Sequence, residues 1–240
     1  MASIQQTDPS VEMHLLAGGE GPLLAEGERC GARVHCLPLP ETLAQAGDSA
    51  LNNESRIRGL ANAAWIGARA ALLAPGYIRK FKQIVTDIQP TLIHSNGLKF
   101  HLLAHWARVD TLPTVWHLHD FLGARPLVGK MLRLATYNKP VVIAVSQAVA
   151  KDAREVLPGI EVKVVYNATN ETVFTSLPAN PGMLDKLAKL PPVEDGILRV
   201  GLVATYARWK GQDIFLEAIA RFLKLWQGAP VRFYLIGGAL

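Results

Sequence analysis

The sequence predicts an α/β protein built on parallel sheet, and three observations carry that prediction. Short apolar strands alternate with helical stretches along nearly all of the chain. The strands do not themselves alternate polar with apolar, as expected where both faces of a sheet are covered. Half of the 240 residues are hydrophobic and mean hydropathy is +0.17, so a substantial core is affordable and disorder is disfavoured.

Taken in order, residues 11–16 (VEMHLL) read as a strand, ended by the glycine-rich run at 18–21. A short helix over 23–30 and a second strand over 32–37 follow, and 38–53 reads as loop. Residues 56–88 are helical, with a break expected at Pro75-Gly76. A buried strand at 91–94 leads to a turn at Asn96-Gly97 and a helix to about residue 109. Strand 114–118, helix 127–137 and strand 141–145 come next. Ser146 then suits the N-cap of a helix running to residue 157, before a strand over 162–166 that ends at Asn167.

Residues 170–196 differ in composition. They hold Pro178, Pro181, Gly182, Pro191 and Pro192, with one short helix near 183–190, and read as a crossing between domains. The expected division is a domain over 1–175, a linker over 176–196 and the start of a second domain over 197–240. In that last part, strand 199–204, loop 205–210, amphipathic helix 211–226 and strand 231–236 form a β-loop-α-β unit that opens shortly before the chain stops. Phe215, Ile219, Phe222 and Trp226 fall at helical spacing and read as core.

The charge of +5 is uneven. Arg56, Arg58, Arg69, Arg79, Lys80 and Lys82 lie in one window without an acid, and Arg125, Lys130, Arg133 and Lys139 in another. These are either solvated helix faces or a basic surface for an anionic partner such as phospholipid headgroups or a phosphorylated acceptor. Nucleic acid is disfavoured because aromatic side chains do not alternate with these charges as a row of stacking platforms. The first ten residues carry no secretory pattern, and the longest apolar run, 60–78, is interrupted by Arg69 and Pro75. Cys30 and Cys36 match neither a CxxC nor a zinc pattern and read as buried reduced thiols. Together these features point to the cytoplasm, with the inner membrane face as the place a basic surface would favour.

Ligands of parallel α/β sheets bind beyond the carboxyl ends of the strands. The residues there are Gly18 to Gly21 (with Gly19 at the centre), Asn96 and Gly97 after His94, His119 and Asp120, Ser146, and Asn167. Each has a plainer structural use: a turn, a cap or a satisfied histidine. His119 at a strand end could orient a hydroxyl or stabilise charge, and His117 points to the same side of its strand. No third ligand is spaced to make these two a metal site, so no metal is expected. His101 and His105 share a helical face and, with no HExxH pattern, suit surface or packing roles. Lys210 and Arg208 precede a helix N-terminus, whose free N–H groups favour a phosphate; the alternative is a basic surface loop.

Several stretches together resemble the retaining family 4 glycosyltransferases. They are VEMHLLAGGEGPLLAEGERCGARVHCLPL at 11–39, TLIHSNG at 91–97, PTVWHLHD at 113–120, VIAVSQAVA at 142–150, VKVVYNATNETVF at 162–174 and VGLVATYARWKGQDIFLEAIA at 200–220. The resemblance implies the two-domain GT-B fold: a Rossmann-type acceptor domain lacking its first strand, then the opening βαβ unit of a Rossmann-type donor domain. It implies transfer of a sugar from a nucleotide sugar to a glycan or lipid-linked acceptor, as in polysaccharide biosynthesis, with retention at the anomeric carbon, no cofactor, no essential metal and an interdomain cleft. By position, Lys210 would match the lysine on the donor diphosphate and His119 the active-site histidine. The family usually has Gly-Arg where this chain has Ala204-Thr205; Arg208 is the candidate substitute. Asn170 stands where an aspartate is common, and the glutamate pair that grips donor sugar and ribose is absent. The expectation is therefore a partial transferase, inactive alone. A non-catalytic module binding a membrane or protein through its basic surface remains the alternative from another class, and a GT-B epimerase the alternative enzyme.

Overall fold

The structure, a computed structural model, describes residues 1–45, 56–107, 112–168, 182–191, 196–207 and 210–238. Arg208 and Asn170 lie outside these residues, as do the side chains of Arg56, Arg58 and Arg69. The chain divides into two units, Met1–Ala168 and Thr169–Leu240. No helix of the described residues is long and apolar enough to cross a membrane.

In the first unit, α1 (Ala2–Thr7) precedes β1 (His14–Ala17), α2 (Pro22–Arg29), β2 (Arg33–Cys36), α3 (Glu41–Gln45) and α4 (Arg56–Ile88). Then come β3 (Ile93–Asn96), α5 (Leu98–Trp106), β4 (Thr114–Leu118), α6 (Pro126–Ala135), β5 (Val141–Ala144), α7 (Gln147–Val156) and β6 (Val162–Val164). Every strand pair is parallel, as the strand–helix alternation predicts. The sheet is nevertheless divided: β1 pairs with β2, and β3-β4-β5-β6 forms a separate four-stranded sheet. Among the described residues no strand links the two ladders.

The larger core lies where β4 and β5 meet α5, α6 and α7. Trp116, Leu118, Leu132, Val142, Ala144 and Ala153 are all within 2 % of complete burial, which pins the strand register on that face. Leu118, Leu132 and Val142 show no exposure at all, the condition under which truncation leaves a cavity. A second cluster joins Phe81 and Val85 of α4 to Ala104 and Ala107, with Leu16, Leu37, Ile93 and Phe100 packed against it. Side chains, rather than backbone bonds, thus attach β1–β2 to the rest.

The second unit holds α8 (Gly182–Leu187), β7 (Leu198–Val203), α9 (Gln212–Leu225) and β8 (Val231–Ile236), with β7 and β8 parallel. Phe215 and Phe222 of α9 meet Phe233 edge-on, with ring centroids 6.2 and 5.8 Å apart.

Four expectations need correction. Helix α4 runs through Pro75 without the predicted break, forgoing the hydrogen bond that a proline nitrogen cannot donate. Residues expected to be loop include α3. Trp226 is 41 % exposed rather than core, because it lies past the end of α9, stacking on Phe222 and donating from Nε1 to the Ala229 carbonyl at 2.7 Å. Cys30 and Cys36 are free thiols but only half-buried.

Candidate functional site

Because β3 to β6 are parallel, their carboxyl ends share one edge. Register places Asn96 opposite His117, His117 opposite Ile143, and Ala144 opposite both Leu118 and Val164. His119 and Asp120 therefore emerge from β4, Ser146 from β5 and Asn167 from β6 along that edge. Gly97 caps β3 and starts α5 at φ 91°, a backbone conformation that strongly favours glycine. Ser146 accepts the Val149 N–H at 3.2 Å, so its oxygen is engaged as the cap of α7. Gly19 follows β1 in the other sheet, with open space where a Cβ would stand, whereas a Cβ on Gly18 would come 2.9 Å from the Phe100 ring.

The edge carries a histidine cluster. Period-two alternation puts His94 and Asn96 of β3 on the same face as His117 of β4. His94 Nε2 is 3.3 Å from His117 Nδ1, and the His117 and His119 rings are 4.5 Å apart. Burial, then the neighbouring amino terminus and His119, hold His94 below the ordinary imidazole range. Burial, then the His119 and His94 charges, do the same for His117. Both rings are thereby disposed to be neutral, and a neutral imidazole has one N–H to donate and one lone pair to accept. His119 and Asp120 are exposed at the end of the cluster, where such groups can meet a hydroxyl. Sequence spacing paired His117 with His119; His94 joins them only through strand register, which a single sequence does not display. Among the described residues no group of three or more His, Cys, Asp or Glu is arranged to hold a metal ion.

On the opposite face of β3 and β4, His101 of α5 is fully buried and stacked on Trp116, with ring centroids 5.4 Å apart. Its Nδ1 lies 2.7 Å from Ser95 Oγ, which in turn donates to the Val115 carbonyl at 3.2 Å. This histidine packs, which is one of the two uses its spacing allowed. A further pair went unforeseen: His14 Nδ1 and His35 Nε2 are 2.9 Å apart on β1 and β2, with Glu12 beside His14.

Lys210 lies in the second unit. It is exposed, and its backbone N–H bonds the Ala207 carbonyl at 2.9 Å, turning the chain into Gly211 at φ 74° and then α9. Among the described residues no side chain caps α9, and Asp213 stands in its first turn. The strand ends beside this loop are closely joined. Tyr206 donates its N–H to the Gly238 carbonyl at 2.9 Å, and a Cβ on Gly237 would collide with the Ala204 carbonyl.

Elsewhere in that unit Asp185 is 2 % exposed and binds three partners. Arg199 donates to Oδ2 at 2.9 Å, Arg232 to Oδ1 at 2.6 Å, and the Tyr234 hydroxyl also donates to Oδ1. Tyr234, then Arg199 and Arg232, hold this carboxyl well below the usual carboxylate range. Arg199 and Arg232 are register partners on β7 and β8, so an acid between them relieves a like-charge pair. The clue was in the sequence, but it becomes readable only once the register is known.

The family model for Glycosyltransferase Family 4 matches residues 11–173, well over half of the chain. No curated protein matches the chain.

Proposed function

The chain belongs to glycosyltransferase family 4, and on that premise we propose that it serves the transfer of a sugar from a nucleotide-sugar donor to a glycan or lipid-linked acceptor, with retention of configuration. The observation that carries the reading is the histidine cluster at the carboxyl edge of β3 and β4, inside the span matched by the family.

In this proposal His119 meets the acceptor hydroxyl or the reacting sugar. His117 and His94 stand behind it as neutral rings, so a proton can be accepted there without a resident cation opposing it. Asn96 and Asp120 supply further polar contacts at the same edge, and Gly97 and Gly19 leave the backbone open to a ligand. In the second unit, Lys210 and the uncapped start of α9 take the donor diphosphate. Negative charge grows on that group as the sugar departs, and a fixed ammonium with free N–H groups stabilises it. Arg208 adds a second cation there in the proposal. Neither a cofactor nor an essential metal is required by this assignment.

Isothermal titration with a panel of uridine and guanosine diphosphate sugars tests the donor half. Saturable binding of one of them is expected, weakened ten- to a hundredfold in Lys210→Ala, since a hydrogen bond to a charged group contributes roughly 1.5–3 kcal/mol. Equal affinity in the variant, or no saturable binding across the panel, would remove Lys210 from the donor site.

A further inference from the structure

Helix α8 is fastened to its sheet by charge rather than by apolar packing. Asp185 is its one buried residue, while Met183, Leu184 and Leu187 are exposed. Arg199 and Arg232 are register partners, and Tyr234 shares their face of the β7–β8 ladder. All three donate to the Asp185 carboxylate. The cradle they form is under-filled. Two guanidinium groups meet a single carboxylate, and Arg199 Nε is buried with no hydrogen-bond partner among the described residues. A buried donor left unpaired costs free energy that a better-matched anion would recover. Arg199 and Arg232 are the second residues of β7 and β8, so the cradle lies at the amino end of this ladder, whereas Lys210 follows the carboxyl end of β7.

We propose that Arg199, Arg232 and Tyr234 form a phosphate-binding site in which Asp185 is an internal stand-in, so that a phosphate dianion displaces the carboxylate and frees α8 from the ladder. Phosphate fits the cradle better than a carboxylate does. Its charge of about −1.5 to −2 at neutral pH balances both guanidinium groups, and its further acceptor oxygen answers the unpaired Arg199 Nε. Guanidinium forks are also the groups that bind phosphate oxygens in pairs. Release of α8 uncovers little hydrophobic surface, because the helix buries no apolar residue. The tethered carboxylate keeps the advantage of proximity, so displacement calls for phosphate in excess. The proposal goes beyond the transfer reaction and does not depend on the donor site.

Limited trypsin digestion of the full chain is the test, because exposed Lys186 and Lys189 lie in α8 and the turn after it. Cleavage there follows the population in which the helix is open. Asp185→Ala empties the cradle, and isothermal titration of that variant with inorganic phosphate gives the dissociation constant of the open site. Adding Arg199→Gln should abolish this binding. In the original protein the cleavage rate should rise with phosphate, roughly tenfold at about ten times that constant, and chloride at equal ionic strength should leave it unchanged. A parallel arm with glucose 1-phosphate tells a phosphate monoester from the free dianion. Lys210→Ala should show the same rise, which separates this result from the donor assignment. If Asp185→Ala does not fold, digestion of the original protein decides alone. A rate indifferent to both phosphates, an equal rise with chloride, or loss of the rise in Lys210→Ala would overturn the proposal. So would phosphate binding that survives Arg199→Gln.

Discussion

Acid should destabilise the first unit through a single buried ring, His101. Ser95 has one hydroxyl proton, and it goes to the Val115 carbonyl. His101 Nδ1 meets Ser95 Oγ at 2.7 Å, and whichever ring nitrogen carries the proton of the neutral form, a second proton must enter a fully buried ring. Protonation would place a charge where water cannot reach it. Burial, and after it the charges of His117, His94 and His119, accordingly lower the pKa from 6.5 to about 3.

The sign follows from proton uptake. Below 6.5 the unfolded chain binds a proton at this ring, and the folded chain does so only near 3, so folding loses stability as pH falls through that interval. The slope is about 1.4 kcal/mol per pH unit, which amounts to roughly 2–3 kcal/mol by about pH 4.5. Urea unfolding at a series of pH values, in the original protein and in His101→Leu, isolates the effect. Leucine removes the titration and leaves the Ser95–Val115 bond free to form. The variant should lose less stability on acidification by the amount above. If the two proteins lose stability in parallel, the buried neutral ring is not the acid-sensitive element.

Other perturbations follow from the same kind of accounting. Asp152 accepts the N–H groups of Leu122 at 2.6 Å and of exposed Gly123 at 3.2 Å, so Asp152→Ala should strand the Leu122 donor and cost about 1–3 kcal/mol in a denaturant titration. Gly123→Ala should strain the same turn, since its Cβ would lie 2.6 Å from Asp152 Oδ1; a lowered melting temperature in thermal unfolding is the expected readout. Leu132→Ala, at a site with no exposure, should cost about 2–5 kcal/mol of unfolding free energy. In the second unit the depressed Asp185 carboxyl contributes stability above the usual carboxylate range and loses it as pH falls below that range. Asp185→Asn should therefore lower the melting temperature at neutral pH and narrow the gap to the original protein in acid, by circular dichroism.

The sequence revealed the elements more fully than their arrangement. β4 and β8 fall on the predicted residues, and Ser146 caps α7 as its position suggested, because apolar runs and N-caps are local signals. Pro75 misled because the propensity of the long flanking helix outweighs one missing bond. The site was legible as a row of strand ends, since parallel topology alone puts them on one edge. What stayed hidden depends on register: His94 beside His117, His14 beside His35, and Asp185 between two arginines. Pairings of that kind join residues far apart in the chain, and composition or periodicity does not reveal them.

The division of the sheet has a dynamic consequence. Opening any strand of β3–β6 disturbs a ladder shared with its neighbours, so those amides should exchange with solvent only in large, cooperative excursions. Among the described residues the ladder bonds of β1 and β2 run only to each other, and Leu16 and Leu37 hold the pair against α4 and α5 through side chains. This pair can detach and re-form as its own cooperative unit while the four-stranded ladder stays intact. Gly19 and the His14–His35 pair ride on that unit, so the end of the molecule they occupy can reshape itself without unfolding the rest.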